Sequence, residues 1–248
     1  MSINCNHPSF KQPDNFNVSL WRYMSLTKFL SLLITKEIFL CRIDLFDDPF
    51  EAASTHKNKE LRGHLYKDFP SKAQEGLAII LQNIKRFTYA SCWHMSEHES
   101  DAFWKTYGST EGGIAIQTTY QSLIDSIDIN DEDCYIGMIT YINQNNFIPE
   151  NNLLERAMYK RIFFEHEKEV RIIKQDFDGV TIDDKVYVQK ENSKRSMNLP
   201  VNLETLIHKI YISPLAQPWF VEIIQDVNEK YNLNKQIMRS QMRETPFY

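Results

Sequence analysis

The sequence predicts an α+β fold: a single domain, residues 18–248, with a central mixed or antiparallel sheet flanked by helices. A flexible N-terminal arm, residues 1–17, precedes it. Three observations carry this reading. The 248 residues suit one large domain. A hydrophobic fraction of 42% and an aromatic fraction of 12% are ample for a buried core. Short β-branched and aromatic runs mix with stretches of helical periodicity, without the regular alternation of a doubly wound fold. No internal repeat or low-complexity segment is visible.

The arm is rich in Asn, Pro and Ser. Order is expected to begin at the strand Val18–Met24, after which Ser25 can cap a helix carrying Leu26, Phe29, Leu30 and Leu33 at helical spacing. A second strand, Glu37–Cys41, leads to an acidic loop, Asp44–Glu51, because Asp48 precedes Pro49 and is biased away from helix. Residues 52–70 are too polar to assign. Lys72–Lys85 reads as a helix and Arg86–Trp93 as a buried strand. Asp101–Tyr107 reads as a short helix that Gly108 can end, followed by a turn into a strand over 111–117.

Tyr120–Ile127 suits a helix and Asp133–Ile142 one strand. Leu153, Leu154, Ala157, Tyr159, Ile162 and Phe163 suit a helix that passes into a strand, Val170–Ile173, near 167–169. Strands over 185–189 and 206–213, a helix over 218–231 and a last strand over 235–239 complete the chain.

Composition limits the function classes. A net charge of −5 argues against a general nucleic-acid coat but leaves room for a local basic groove. Cys5, Cys41, Cys92 and Cys134 lie far apart without C-x-x-C spacing, which speaks against a zinc knuckle and a disulfide scaffold; no metal is predicted. No apolar run approaches the roughly 20 residues needed to cross a bilayer, and the first residues lack a signal core. The expectation is a cytoplasmic protein without a membrane partner.

The densest chemistry lies in the stretch Lys160–Ile173. Glu165, Glu167, Glu169 and Arg171 recur at spacing two, which on an extended strand places all four on one face. Carboxylates beside an arginine can stabilise a developing cation or act as a base; from spacing alone, a solvated, self-paired edge is the simpler account of the pattern. Arg22, followed by Tyr23, could clamp a phosphate or carboxylate, or stack on Trp21 or Tyr23. Asp47, Asp48 and Glu51 could meet a hard cation or a ribose, or simply cap the next segment. Cys92, His94 and His98 match no zinc spacing. Trp93, Trp104 and Tyr107 could wall a pocket for a flat ring or fill the core. Neither Gly-rich phosphate-loop pattern occurs.

Taken together, several motifs resemble a bacterial family catalogued as domain of unknown function 2971. They are Leu20-Trp21-Arg22-Tyr23, Phe46-Asp47-Asp48-Pro49-Phe50-Glu51, Ser91-Cys92-Trp93, Phe103-Trp104-Lys105-Thr106-Tyr107-Gly108, Gly113-Ile114-Ala115-Ile116, Lys160 with Glu167-Lys168-Glu169-Val170-Arg171, and Ile210-Tyr211-Ile212-Ser213-Pro214. The resemblance implies that their polar residues share a site, and supplies no activity.

A more distant resemblance is to ADP-ribosyltransferases, whose first strand carries His or Arg, as Arg22 does here. Their middle strand carries a Ser, Thr or Tyr, for which Ser91 stands, and a later strand carries a catalytic Glu, for which Glu167 or Glu169 stands. It implies an enzyme that takes NAD as substrate. Glu167, Glu169 and Arg171 would be catalytic, and Arg22, Tyr23, Ser91, Trp93, Tyr107, Asp48 and Glu51 would bind the dinucleotide. The acceptor would be a nucleic acid or protein, and the role that of a toxin or phage-defence effector. The alternative is a non-catalytic module that binds a nucleotide or a protein. If the enzyme reading holds, Arg22 and the two glutamates line one cleft.

Overall fold

The computed structural model describes residues 7–71, 79–107, 112–127, 134–150, 152–177 and 193–243. Leu20, Trp21, Tyr23 and Met24 bury both faces of the strand Ser19–Ser25 (β1), and Ser25 ends it by capping the helix Leu26–Thr35 (α1), its hydroxyl accepting from the Lys28 amide at 3.4 Å. Lys36, left-handed at φ 54°, stops that helix and turns the chain into Glu37–Arg42 (β2). Further on come the helix His56–Leu65 (α2), the strand Thr88–Met95 (β3), the helix Asp101–Tyr107 (α3), the strand Gly113–Thr119 (β4) and the helix Tyr120–Ser126 (α4). Then follow Cys134–Met138 (β5), Thr140–Ile142 (β6), Tyr159–Arg161 (β7), Glu169–Gln175 (β8) and Ser196–Pro200 (β9). Next come Leu203–Leu206 (α5), Lys209–Ile212 (β10), Pro218–Lys230 (α6) and Gln236–Arg239 (β11).

The α+β expectation holds. Among the described residues nine strands form a mixed sheet in the order β11-β10-β4-β1-β3-β2-β9, with β8 against β3 and β5 beyond β8. One face buries Leu20, Phe29, Leu40, Ile114, Ile116, Ile172, Ile210 and Ile224 in the main core. Each such side chain contributes about 1.5–3 kcal/mol by leaving water.

The sheet forks at β3. One edge of β3 pairs with β8 throughout, from Thr88↔Gln175 to His94↔Glu169. Its other edge takes two strands in turn: β2 at Ala90 and Tyr89, and β1 at His94 and Met95. Between them, along Ser91–Trp93, β1 and β2 have diverged, and β1 continues alongside β4.

Several local expectations change. The helix expected over 153–163 is instead a 3₁₀ turn, Glu155–Met158, then β7, then a second 3₁₀ segment, Ile162–Glu167. Two tertiary contacts outweigh the apolar spacing there. β7 pairs in parallel with β6, and the Ala157 carbonyl, which an α-helix would bond internally, accepts from Arg171 at 2.8 Å. The single strand expected over 133–142 is two, broken at Ile139, because β5 pairs with β8 and β6 with β7.

The unassigned 52–70 stretch contains α2, capped by Thr55, and β9 lies in a stretch read only as polar. Residues 7–17 run along the sheet. Phe10 is buried and stacks on Tyr135, and Lys11 bridges to Met138. Gly137 permits this close approach, since a Cβ there would sit 3.0 Å from Phe10. The expected helix start at 72–78, the Gly108 stop and the strand over 185–189 lie outside the described residues.

Candidate functional site

Strand β8 starts where Lys168, left-handed at φ 40°, redirects the chain out of the 3₁₀ segment. Glu169 and Arg171 then share a face, and their register partners His94 and Cys92 put those side chains on it too. The spacing-two expectation therefore holds for these two residues and fails upstream, where the backbone is not extended. Glu165 is exposed and outside the group.

Arg171 is fully buried, and all five of its N–H groups are used. They donate to Glu169 at 2.5 and 3.2 Å, to Glu51 at 2.8 and 2.9 Å, and to the Ala157 carbonyl. Burying an unpaired guanidinium would cost several kcal/mol; here two carboxylates compensate it.

Lys160, on β7, closes the other side. Its Nζ lies 2.5 Å from Glu167, 3.2 Å from Glu169 and 3.5 Å from Glu51, and 4.8 Å from the centre of the Phe164 ring. The cluster thus holds three carboxylates and two cations. Its members differ in access: the Glu169 side chain is 4% exposed and that of Glu167 is 19% exposed.

Their protonation is pushed apart. Burial raises Glu167 above the usual carboxylate range, against the pull of Lys160. Burial would raise Glu169 as well, but Arg171 and Lys160 outweigh it and hold Glu169 at about 2. Neighbouring carboxylates whose pKa values are pushed apart can divide an acid–base task between them.

Tyr107, at the end of α3, is 49% exposed, and burial of its hydroxyl with Glu167 nearby raises its pKa. Its ring packs on Phe103 at 5.5 Å, and Phe103 stacks on His94 at 4.3 Å. His94 Nδ1 sits 2.6 Å from the Glu167 carbonyl, so this aromatic column is tied to the backbone of the open carboxylate. Burial, then Glu169, pushes the Cys92 thiol well up, leaving it protonated in the floor of the site. Tyr23 is buried and joins this column, 5.3 Å from Phe103 and edge-on to Trp104 at 4.8 Å, with its hydroxyl accepting from the Ser100 amide.

Arg22 occupies the fork. Its guanidinium donates to the Ser91 hydroxyl and, at 3.1 Å, to the Phe39 carbonyl, and lies 5.4 Å from the centre of the Trp93 ring. Ser91 and Trp93 alternate along β3 with Cys92 and His94, so Arg22 is bonded to the opposite face from Glu169 and Arg171. The single cleft expected for Arg22 and the glutamates is instead two groups separated by one strand. Trp93 is a core residue, 1% exposed, and not a pocket wall. Asp48 pairs with Arg161 at 2.8 and 3.1 Å, apart from the cluster that Glu51 joins.

The family resemblance counted Lys160, seven residues before Glu167, among the polar residues of one site but gave it no role. Nothing local signals that a strand of three residues will aim it at Glu51, Glu167 and Glu169. Among the described residues no group of His, Cys, Asp and Glu could hold a metal ion. Comparison with known proteins adds no assignment, since no family model, no curated protein and no solved structure matches the chain.

Proposed function

We propose that the chain is an enzyme of ADP-ribosyltransferase type that cleaves the nicotinamide–ribose bond of NAD, with Glu167 as its working carboxylate. The observation that supports this is the division of labour on Lys160: Glu169 stays ionised at depth, while Glu167, raised in pKa and partly open, stands beside the half-exposed ring of Tyr107. As the C–N bond breaks, nicotinamide leaves with the bonding electrons and positive charge develops on the ribose. A carboxylate at that point stabilises the charge and can then take a proton from the incoming hydroxyl or water. Tyr107 would stack on the nicotinamide ring. On this reading the acceptor is a protein or nucleic acid, and the setting is that of a bacterial toxin or phage-defence effector in the cytoplasm.

A second reading, a non-catalytic module that binds a nucleotide or a protein, is favoured by one observation. Arg22 makes its bonds on the far face of β3, away from Glu167. The two readings separate on NAD binding and nicotinamide release. Wild type is expected to release nicotinamide, and Glu167→Gln to lower the rate by about 10²–10⁴-fold with NAD binding retained. Absence of NAD binding at millimolar ligand sinks the enzyme reading.

A further inference from the structure

We propose that a trough running from the β6–β7 ribbon along α2 to the segment 81–85 binds single-stranded nucleic acid. Three cavities of about 240, 550 and 440 Å³ open along it. They are continuous: the first shares Asn143, Gln144 and Arg161 with the second, and Ser54, Lys59 and Arg62 with the third. Among the described residues their combined lining contains no aspartate or glutamate, in a chain with 33 acidic residues against 28 basic ones. It contains instead Lys59, Arg62, Lys85, Lys160, Arg161 and His56.

These cations are not equivalent. Arg161 is neutralised from behind by Asp48 at 2.8 Å, Arg62 lies 3.9 Å from Glu150, and Lys160 belongs to the carboxylate cluster. Lys59 and Lys85 have no carboxylate partner among the described residues, and they stand at one end and the middle of the trough. Paired positive charge at its edges and two uncommitted lysines suit a polyanion that follows the trough.

Aromatic rings stand among these charges. Phe163, 75% exposed, flanks the second cavity and Phe50 the first, while Tyr66 at the third is already stacked on Phe69 at 5.2 Å. The Arg161 guanidinium lies 4.5 Å from the centre of Phe50 and 6.0 Å from that of Phe163, which braces both rings. Open ring faces along a basic groove are stacking platforms for bases. They select a single strand, because in a duplex the base faces are already stacked on each other. Asn143, Gln144, Asn145 and Asn146 add amides that can bond base edges without discriminating strongly.

The inference does not rest on the NAD reading, although Lys160 and Arg161 join the trough to the carboxylate cluster. The test contains no NAD, so the two can fail separately. Fluorescence anisotropy of labelled, mixed-sequence single strands of about 12 nucleotides is measured from about 50 to 200 mM salt. Wild type is expected to bind, more weakly as salt rises. Lys59→Glu with Lys85→Glu should weaken binding at least about tenfold and flatten the salt slope by about 1.4, two phosphate contacts at about 0.7 each. Phe163→Ala should weaken binding about fivefold or more, the loss of one stacked base, with the slope unchanged. A thermal unfolding midpoint checks that the variants fold; if the double variant does not, Lys59→Glu alone, at an exposed position, is expected to flatten the slope by about 0.7. No binding by wild type at the lowest salt, unchanged affinity in the charge-reversed variants, or equal binding of a blunt duplex would each overturn the proposal.

Discussion

Arg171 and Arg22 both project from strands that pair with β3, yet their surroundings have opposite chemistry. Arg171 is enclosed by two carboxylates and a carbonyl, and although burial acts against its charge, Glu169 and Glu51 raise its pKa. Arg22 meets a hydroxyl, a carbonyl and an indole face, with no carboxylate partner among the described residues, and burial lowers its pKa. Neutralised charge of the first kind organises structure; uncompensated charge of the second kind remains available to an anion. Arg171, with every N–H group committed, is placed to hold its cluster together, and the open member of that cluster is Glu167.

The largest expected effect separates these two arginines. Arg171→Met leaves Glu51 and Glu169 buried without a counter-charge and should lower stability by about 3–5 kcal/mol. Arg22→Met strands the buried Ser91 hydroxyl and frees the more exposed Phe39 carbonyl to water, and should cost about 1–3 kcal/mol. Urea unfolding of both variants measures the difference, and equal losses would break the contrast.

Acid sharpens it further. Glu169 has a depressed pKa in the folded chain, so its stabilisation is complete above its ordinary value of 4.5 and is lost as pH falls from there towards 2. That depression corresponds to on the order of 3 kcal/mol. Glu167 acts with the opposite sign: its raised pKa makes stability fall slightly as pH rises through 4.5. Urea midpoints between pH 5 and about 2.5 should therefore fall steeply for wild type and Glu167→Gln, and weakly for Glu169→Gln. A steep fall in Glu169→Gln would assign the acid response to other carboxylates.

The smallest effect concerns the open position. At pH 7 Glu167→Gln should change stability by less than about 1 kcal/mol, because Lys160 keeps Glu51 and Glu169 as partners. Glu169→Gln at the same pH should cost about 3 kcal/mol or more. Comparable losses in the two variants would mean that Glu167 is structural as well, and would weaken its assignment to catalysis.

Much of the fold was legible because it rests on short-range signals. Ser25 before an apolar helical repeat, the buried run leading to Trp93, and the late helix starting at Pro218 all appear where their patterns place them. The α2 helix was missed because its face is mostly polar and only Asn58 is buried. The segment from 153 to 167 was misread because its apolar spacing suits a helix, while its strand partner, β6, forms only in the folded chain. In the site, Glu167, Glu169 and Arg171 stood out by their spacing, yet that spacing could not show that the backbone turns at Lys168.

By itself, then, the sequence determined an α+β domain with ample core and a carboxylate-rich segment entering a strand, since periodicity, caps and turn residues act over a few positions. Only the tertiary structure decided which carboxylate is open, that Arg22 fills a fork on the other face of β3, and that Lys160 joins the cluster. Those outcomes depend on strand register and on partners such as Glu51, 120 residues from Arg171. Electrostatic pairing and desolvation act through space, and no local pattern encodes which distant charge will arrive.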